Sequence, residues 1–586
     1  MNPTRQVNPV NSSNVPSWAS CRATLVTVFF LCFLWIVFIR LHTASEPLER
    51  DISTQILMGR VLADGGKMYV DTIEFKPPGM FVIWQVVHQL AGTSLHVVVW
   101  VNILVTTITM FGVYLAASAK PWGLVSGLWA VAFWALISGD MMLQANQPSN
   151  EVFMNMFMVW GMAMWLRADS AQKNQWHYAA AGLLLGLFTL IKPALFTVIL
   201  MVLAWMLAEG LNWEALKRRA LAMLWVLLPI AILWVLTVLY FVWQGRGTEL
   251  YNCLVRYGVF YASNGRQTIP NANTSIWMNI LHGLSTELVP TYLDFITPLI
   301  LLTIFGIANG LRGSERPQAL TLAGCLLGTF FAVSIPGKFF AHYYQLYLPV
   351  LAVGAGWGVV AAAKGLQRRA AGQWFGVLAL VLLLCHIIPD CQKSGQTWSR
   401  LTFNGESFIE FERCGHAVNQ MLKPDESFYI WGVDPSVYYY SDRRPASGIF
   451  WADRLLYGPS KTWATQKVIA DLEKSPPPLI LMEEDEKLIP SLDHPASDHP
   501  VFQWISARYV EAPAARFSKY FNVYVRRGSA LAFRMATNQQ LFALTLADVD
   551  PKFLRQTAGE LFQKGQTNEA RAYLQKAAEI EHHPVP

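Results

Sequence analysis

The chain has 586 residues, of which 53% are apolar, 13% aromatic and only 14% charged. Soluble domains usually contain about 25% charged residues, so this composition excludes a series of ordinary soluble domains. The net charge of +6 is modest, and the basic residues form short clusters between apolar runs. This arrangement is typical of a multi-pass membrane protein and argues against nucleic acid as a partner.

Apolar runs long enough to cross about 30 Å of hydrocarbon recur along the first two thirds of the chain and then stop. We divide the sequence into a disordered cytoplasmic tail at 1–22, a transmembrane domain at 23–390, a soluble α/β domain at 391–530 and a helical tail at 531–586. Eleven spans are predicted. They lie near residues 24–41, 95–117, 122–138, 152–167, 178–191, 194–209, 221–243, 292–310, 319–335, 343–362 and 373–389.

The basic clusters between these runs predict an orientation. With the N-terminus in the cytoplasm, every cluster falls on the cytoplasmic side, as the positive-inside rule requires. The clusters are Lys120, Arg167 with Lys173, Lys217 to Arg219, Arg312 with Arg316, and Lys364 with Arg368 and Arg369. The loops 42–94, 139–151, 244–291 and 336–342 then face outward with everything after Pro389. We therefore expect a protein of the cell (inner) membrane with an extracytoplasmic soluble domain.

Two apolar runs depart from simple spans. Residues 79–90 are too few to cross a bilayer, so they are predicted to lie along the interface or to re-enter the membrane. Lys192 and Pro193 interrupt another run, which ends one helix and begins the next at the outer face. The ammonium of Lys192 must reach water or an anion there. Snorkelling to the lipid headgroups and phosphate binding are both open for it.

The first outer loop, 42–94, carries the most informative charges. They include Glu49, Arg50, Asp51, Lys67, Asp71, Glu74 and Lys76. Charge is costly in hydrocarbon, so a charged cluster at the membrane face is a candidate site, in which the carboxylate of Asp51 can act as a base. An ordinary solvated loop is the alternative. Asp71 and Glu74 are also suited to order the loop by pairing with Arg50 or Lys67.

The string from Arg50 to Gly79 resembles the first outer loop of bacterial family 39 glycosyltransferases. Those enzymes are related to the protein O-mannosyltransferases and the lipid A aminoarabinose transferases, which share the GT-C membrane fold. Further matching motifs follow in order. They are Pro148-Ser149-Asn150-Glu151, Lys192-Pro193 and Gly337-Lys338-Phe339-Phe340-Ala341-His342-Tyr343-Tyr344. The resemblance covers about residues 24–365 and implies a GT-C-like domain of about eleven transmembrane helices.

The resemblance implies an enzyme that moves a sugar from a polyprenyl phosphate to an acceptor hydroxyl of a lipid, glycan or protein. It assigns the base to Asp51. The departing phosphate needs cations, and the polyprenyl chain needs an apolar groove. The cationic candidates are Lys76, Lys192, Lys338 and His342, with Arg256 and Arg266 as secondary ones.

Other candidates for substrate binding are Glu49, Asp71, Glu74, Glu151 and Tyr343, all ranked below Asp51. Glu151 begins a predicted helix, where capping and sugar or acceptor binding are equally open roles for a carboxylate. For Tyr343 the alternative is an aromatic belt at the membrane interface.

The related loops usually carry Asp-Glu, whereas Ile52 follows Asp51 here. The base is retained, but a paired carboxylate that could hold a divalent metal is put in doubt. Glu46 and Glu49 are the acids that could compensate. No HExxH, P-loop or Cys/His metal pattern occurs in the sequence. We therefore predict no organic cofactor and no nucleotide-sugar donor, and a divalent metal stays doubtful.

Beyond residue 391 the pattern predicts an α/β domain. Residues 427–432, 479–482 and 521–527 are predicted strands. Cys391 and Cys414 both fall on the outer side, where disulfides persist, so a bridge between them is a hypothesis. The segment from 553 to 584 resembles a single tetratricopeptide repeat, which is expected to dock as a helical hairpin.

Two other functions compete with the enzyme. A transporter or a flippase of cell-envelope glycolipids is also a multi-span bundle with interrupted helices, although transporters place ionisable groups near the midplane. A noncatalytic assembly protein, whose outer domain binds cell-wall material, would leave Asp51 expendable. Both alternatives predict that an Asp51→Asn variant remains active.

Overall fold

A computed structural model of the chain describes most of the sequence. The described residues are 18–170, 175–210, 213–263, 276–284, 294–366, 369–403, 405–456, 458–483, 499–511, 520–537 and a part of 551–582. The predicted cytoplasmic tail, 1–22, lies almost wholly outside the described residues. Arg266 also lies outside them.

Each of the eleven predicted spans corresponds to a helix. These helices are α1 (Trp18–His42), α4 (Leu95–Ala117), α5 (Gly123–Ile137), α6 (Asn150–Ser170), α7 (Gln175–Ile191), α8 (Leu195–Met206), α9 (Trp213–Trp243), α13 (Thr297–Leu311), α14 (Arg316–Ser334), α15 (Leu348–Gly365) and α16 (Arg369–Asp390). The break at Lys192 and Pro193 separates α7 from α8, as predicted.

Shorter helices occupy the predicted outer loops. They are α2 (Arg50–Ala63), α3 (Gly79–Ala91), α10 (Gly247–Tyr251), α11 (Gly258–Ser263) and α12 (Ile276–His282), with a π-helical turn at Asn252–Tyr257 and a 3-10 turn at Ala341–Tyr347. A further 3-10 turn, Leu207–Glu209, extends α8.

Burial separates central helices from lipid-facing ones. Among the described residues, six helices are long and apolar enough to cross a membrane, and the chain is a multi-pass membrane protein. The apolar window of α15 is 89% buried, whereas that of α9 is 6% buried, so α15 lies at the centre and α9 faces lipid. Glycines let α15 approach its neighbours, since a Cβ on Gly358 would collide with the carbonyl oxygen of Leu302 in α13.

The two ends of the bundle differ in the loops that they gather. At one end, Lys364 pairs with Glu315 at 3.5 Å and lies over the ring of Trp122, which brings three predicted cytoplasmic loops together. At the other end, His342 contacts Gln144 at 3.1 Å, which joins two predicted outer loops. This grouping agrees with the segregation that the basic clusters predict.

The first predicted outer loop folds as two helices that pack side by side, with the start of α2 near Lys76 and its last turn near Thr93. Glu49 caps α2 by accepting a hydrogen bond from the backbone N–H of Asp51 at 2.7 Å. Gly59 of α2 allows close packing on α3, because a Cβ there would lie 2.6 Å from the Cβ of Trp84. The short apolar run is thus helix α3, whose position relative to the bilayer stays a prediction.

The soluble domain contains a four-stranded sheet in the order β1-β2-β4-β3. The strands are β1 (Phe428–Trp431), β2 (Leu479–Glu483), β3 (Tyr509–Glu511) and β4 (Phe521–Arg526). Phe428 pairs with Leu479 in parallel, while β2 and β3 both pair with β4 antiparallel. Its helices are α17 (Gly395–Thr402), α18 (Ser407–Met421), α19 (Ser436–Ser441), α20 (Asp453–Leu456), α21 (Lys461–Lys474), α22 (Pro500–Arg508) and α23 (Ala530–Thr537). The three predicted strands are confirmed, and β3 was not predicted.

The proposed disulfide is wrong, because Cys391 and Cys414 are both free thiols in the structure. Cys414 is fully buried in the core of the soluble domain, whereas Cys391 packs against the core of the membrane bundle. Of the tetratricopeptide-like hairpin, the second helix, α24 (Thr567–His582), is described in full.

Candidate active site

Asp51 lies in the first turn of α2, at the end of the bundle that gathers the predicted outer loops. Its neighbour Ile52 points the other way and is buried in the apolar core of the bundle at 2% exposure. An acid at position 52 would therefore be placed among apolar side chains. Glu49, two residues earlier, is the acid that lies beside Asp51, since its side chain accepts the N–H of Asp51.

Lys76 forms an ion pair with Asp51, with 2.8 Å between Nζ and Oδ2. The side chains keep 21% and 29% exposure, so the pair is enclosed but can be reached by a substrate. Burial would raise the pKa of Asp51, but the ammonium groups of Lys76 and Lys192 and the imidazole of His342 hold that pKa well below its usual value. The carboxylate is therefore ionised at neutral pH.

A second ion pair lies beside the first. Glu151 begins α6 and accepts a hydrogen bond from the ammonium of Lys192 at 2.7 Å. Lys192, at the break between α7 and α8, also lies 3.5 Å from the ring centroid of Tyr343. Its ammonium thus has a carboxylate and an aromatic face as partners, rather than lipid headgroups alone.

The motif before α15, which contains Lys338, His342 and Tyr343, lies beside these two ion pairs. Nδ1 of His342 lies 3.1 Å from the amide oxygen of Gln144, and His342 interacts electrostatically with Asp51. The hydroxyl of Tyr343 lies 3.5 Å from that of Tyr261. Lys338 lies 4.9 Å from the centroid of the Tyr261 ring, and burial lowers the pKa of Lys338.

The remaining candidates in the loop have different places. Glu74 is buried, and one of its oxygens accepts the N–H of Phe75 while its charge acts on Lys76. Asp71 is exposed and accepts the N–H of Lys67 at 2.7 Å, so it orders its own turn. Arg256 is also exposed. Among the predicted residues that the structure describes, all but Asp71 and Arg256 lie in or beside this cluster.

Glu49 differs from Asp51 in its protonation. Burial and the neighbouring charge of Asp51 raise the pKa of Glu49 to about 8. Two adjacent carboxyl groups are therefore held in opposite states at neutral pH, with Asp51 ionised and Glu49 largely protonated. Such a pair offers one acceptor and one donor of a hydrogen bond to a bound hydroxyl.

A groove of about 710 Å³ runs along α3, α7 and α9. Its lining is mainly apolar and includes Val82, Ile83, Phe157, Leu190, Leu233 and Leu236. Pro78 and Gly79 also line the groove, two and three positions after Lys76. The groove thus reaches the start of α3, and its charged lining residues are Lys67 and Arg246.

Within the described ranges, no group of three His, Cys, Asp or Glu side chains lies close enough to hold a metal ion. Glu49 and Asp51 are neighbours, but one oxygen of Glu49 caps α2 and one oxygen of Asp51 binds Lys76. The cluster combines two ion pairs with the aromatic face of Tyr343.

Residues 75–241 match the family model described as dolichyl-phosphate-mannose-protein mannosyltransferase. A crystal structure of ArnT from Cupriavidus metallidurans bound to undecaprenyl phosphate matches with a TM-score of 0.54 at 15% identity, over 86% of this chain and 99% of that chain. The same protein in the apo state gives a TM-score of 0.51 at 15% identity, over 86% and 98%. This chain has the GT-C fold.

The GT-C fold expected from the sequence is thereby confirmed. The oligosaccharyltransferase of Archaeoglobus fulgidus, in complex with Zn and sulfate, gives a TM-score of 0.49 at 13% identity, over 85% of this chain and 73% of that chain. Among curated proteins, no sequence match was found.

In this GT-C protein the soluble domain also reaches the charged cluster, which the sequence did not predict. Arg50 lies 3.9 Å from Asp434, and burial raises the pKa of Asp434 to about 6. Arg454 lies over the ring of Phe75, the residue before Lys76. No motif marks these residues, and only the fold brings such distant segments together.

Proposed function

We propose that this GT-C protein is an integral membrane glycosyltransferase that moves a sugar from a polyprenyl phosphate to an acceptor hydroxyl at the outer face of the membrane. The observation that carries the proposal is the ion pair of Asp51 with Lys76, placed beside the pair of Glu151 with Lys192. A base and two cations at the membrane face meet the needs of a reaction that deprotonates a hydroxyl and expels a phosphate.

The reaction is a displacement at the anomeric carbon of the sugar. The oxygen of the acceptor hydroxyl forms a bond to this carbon while the bond from carbon to the phosphate oxygen breaks. Asp51 takes the proton of the hydroxyl, and the electron pair of the broken bond leaves with the polyprenyl phosphate. Lys76 and Lys192 stabilise the negative charge that grows on the phosphate.

Donor binding activates the base in this scheme. A phosphate that binds the ammonium of Lys76 competes with Asp51 for the same cation. The carboxylate loses part of its stabilisation and gains a negative neighbour, so its pKa rises and its basicity increases. The proton acceptor thus becomes a stronger base only when the donor is in place.

The groove along α3 and α9 supports a lipid-linked donor. Its apolar lining suits a polyprenyl chain, and its position beside Lys76 would leave the phosphate at the charged cluster. The related ArnT structure holds undecaprenyl phosphate. We therefore use undecaprenyl phosphate as the model lipid for this chain.

The proposal requires the cluster to face the non-cytoplasmic side. Single cysteines can be introduced at exposed positions of the first outer loop and of the opposite end, for example at Asp71 and Lys120. An impermeant maleimide added to whole spheroplasts should label position 71 and leave position 120 unlabelled. The opposite result would place the loop in the cytoplasm and end the proposal.

Mass analysis of surface glycans and lipids after disruption of the gene tests the function itself. We expect one sugar unit to disappear from a defined lipid, glycan or protein. The missing sugar would identify the donor, and the molecule that lacks it would identify the acceptor class. Restoring the wild-type chain should restore that unit. An unchanged glycan and lipid profile would contradict a transferase.

A further inference from the structure

The soluble domain places one arginine at the charged cluster. Arg454, in α20, lies 4.2 Å from the ring centroid of Phe75 and 4.1 Å from that of Tyr257. These two rings stack on each other with their centroids 3.6 Å apart. The guanidinium thus rests on an aromatic pair formed by the first outer loop and the loop after α9, and Phe75 directly precedes Lys76.

The charge of Arg454 is only partly balanced. Its Nη1 lies 3.2 Å from Oδ2 of Asp453, while its Nε is buried without a hydrogen-bond partner in the described part of the chain. Burial and the charge of Glu74 raise the pKa of Asp453 to about 7, so this counter-ion is partly protonated near neutrality. The side chain of Arg454 is 11% exposed and interacts electrostatically with Glu74 and Asp51.

We propose that Arg454 binds the phosphate of the lipid-linked donor together with Lys76, so that the soluble domain supplies a part of the donor site. The inference rests on the proposed function. A guanidinium presents several N–H donors in one plane, which matches two oxygens of a phosphate, and stacking on aromatic rings leaves these edge donors free.

The soluble domain is anchored so that this contact is reproducible. Arg50, next to Asp51, lies 3.9 Å from Asp434. The hydroxyl of Tyr440 accepts the N–H of Leu48 at 2.7 Å, and the hydroxyl of Tyr439 donates to the carbonyl of Thr93 at 3.0 Å. These contacts join the soluble domain to the residues just before α2 and just after α3, so α20 and Lys76 keep a fixed relation.

The experiment compares two lipids on the full-length protein in nanodiscs. Binding of undecaprenyl phosphate and of undecaprenol, the same lipid without phosphate, is measured by native mass spectrometry for wild type, Arg454→Gln and Arg454→Lys. The matched control is Arg444→Gln. Arg444 lies in the same domain and pairs with Asp64 of the α2 terminus at 2.9 Å, but it is 76% exposed.

Arg454→Gln should weaken binding of undecaprenyl phosphate about tenfold or more and leave undecaprenol binding unchanged, because a charge-assisted hydrogen bond is lost only with the phosphate. Arg454→Lys should recover part of the loss, and Arg444→Gln should bind both lipids as wild type does. Equal weakening of both lipids would make Arg454 a packing residue and overturn the inference. Unchanged binding by Arg454→Gln would overturn it as well.

The same measurement separates this inference from the proposed function. If wild type binds undecaprenyl phosphate no better than undecaprenol, the chain has no phosphate site and both proposals fail. If wild type prefers the phosphate and Arg454→Gln keeps that preference, only the role of Arg454 fails.

Discussion

The carboxylate of Asp51 and the ammonium of Lys76 lie 2.8 Å apart, although α2 and a turn separate them along the chain. The segment between α2 and α3 is held together by the hydroxyl of Tyr69, which donates to the carbonyl of Lys76 at 2.9 Å. Lys76 therefore has two roles in the proposed reaction. It lowers the pKa of the base at rest, and it binds the phosphate that leaves.

Lys76→Gln should move the acidic limb of the rate profile to higher pH. Burial raises the pKa of Asp51, and the ammonium of Lys76 is the cation that opposes this effect most strongly. Without that ammonium, the pKa of Asp51 rises. The base is then protonated over a wider acidic range, and kcat/KM falls as the pH falls. The overall rate should also drop about 100-fold through loss of phosphate stabilisation. The measurement is kcat/KM against pH for both proteins.

Lys474→Gln serves as the control for this profile, since Lys474 is exposed on α21 of the soluble domain. It should retain the wild-type rate and pH dependence. A Lys76→Gln profile parallel to that of wild type would show that Lys76 does not set the protonation of the base.

Glu49→Gln should make thermal stability less dependent on pH. The pKa of Glu49 is raised from 4.5 to about 8 in the fold, so the folded state holds this proton more tightly than the unfolded state. The resulting stabilisation is complete below about pH 4.5 and is lost as the pH rises through about 8. The Tm of wild type should therefore fall relative to that of Glu49→Gln between pH 5 and 8.

Glu406→Gln is the matched control, because Glu406 lies at the surface and pairs with Arg400. Its Tm should follow the wild-type curve across this range. If the curve of Glu49→Gln also runs parallel to wild type, Glu49 titrates normally and is not held protonated.

Ile83→Trp should impair use of long-chain donors. Ile83 lines the apolar groove, and the added ring volume would exclude a polyprenyl chain. KM for an undecaprenyl donor should rise at least about fivefold, while KM for a short-chain, water-soluble analogue should stay constant. Val86→Trp, on an exposed face of the same helix, is the control and should change neither value. Equal effects on both donors would place the lipid elsewhere.

Cys391 and Cys414 should both react with a thiol reagent in the unfolded, unreduced protein. The structure places them in two separate cores as free thiols. Mass spectrometry after alkylation without reductant should find both side chains modified. A disulfide-linked peptide pair would contradict this arrangement.

Much of the fold could be predicted from the sequence because the bilayer imposes length and composition on each span. The eleven apolar runs became helices, and Lys192 with Pro193 separates two of them as expected. The central strands β1, β2 and β4 followed from apolar runs. β3 did not, because Tyr509 is buried while the two residues after it are exposed, which leaves no strand pattern to detect.

The site could be predicted only in part. Asp51, Lys76 and Lys192 carry charges at the membrane face, which is unusual enough to mark them. Their pairing depends on how the first loop folds, and that fold depends on the soluble domain packed against it. Arg454 and Asp434 lie in a segment of ordinary soluble composition, so no local pattern distinguishes them from surface charges.

Complementation with Asp51→Asn tests the central claim most directly. Asn keeps the shape of the side chain but cannot accept the proton, so the rate should fall by about 10² to 10⁴. Asp64→Asn is the control, because Asp64 follows the same helix and is paired at the surface with Arg444. Mass analysis of surface glycans and lipids should show the missing sugar unit restored by wild type and by Asp64→Asn, at equal membrane abundance, but not by Asp51→Asn. Full restoration by Asp51→Asn would contradict a catalytic base at this position.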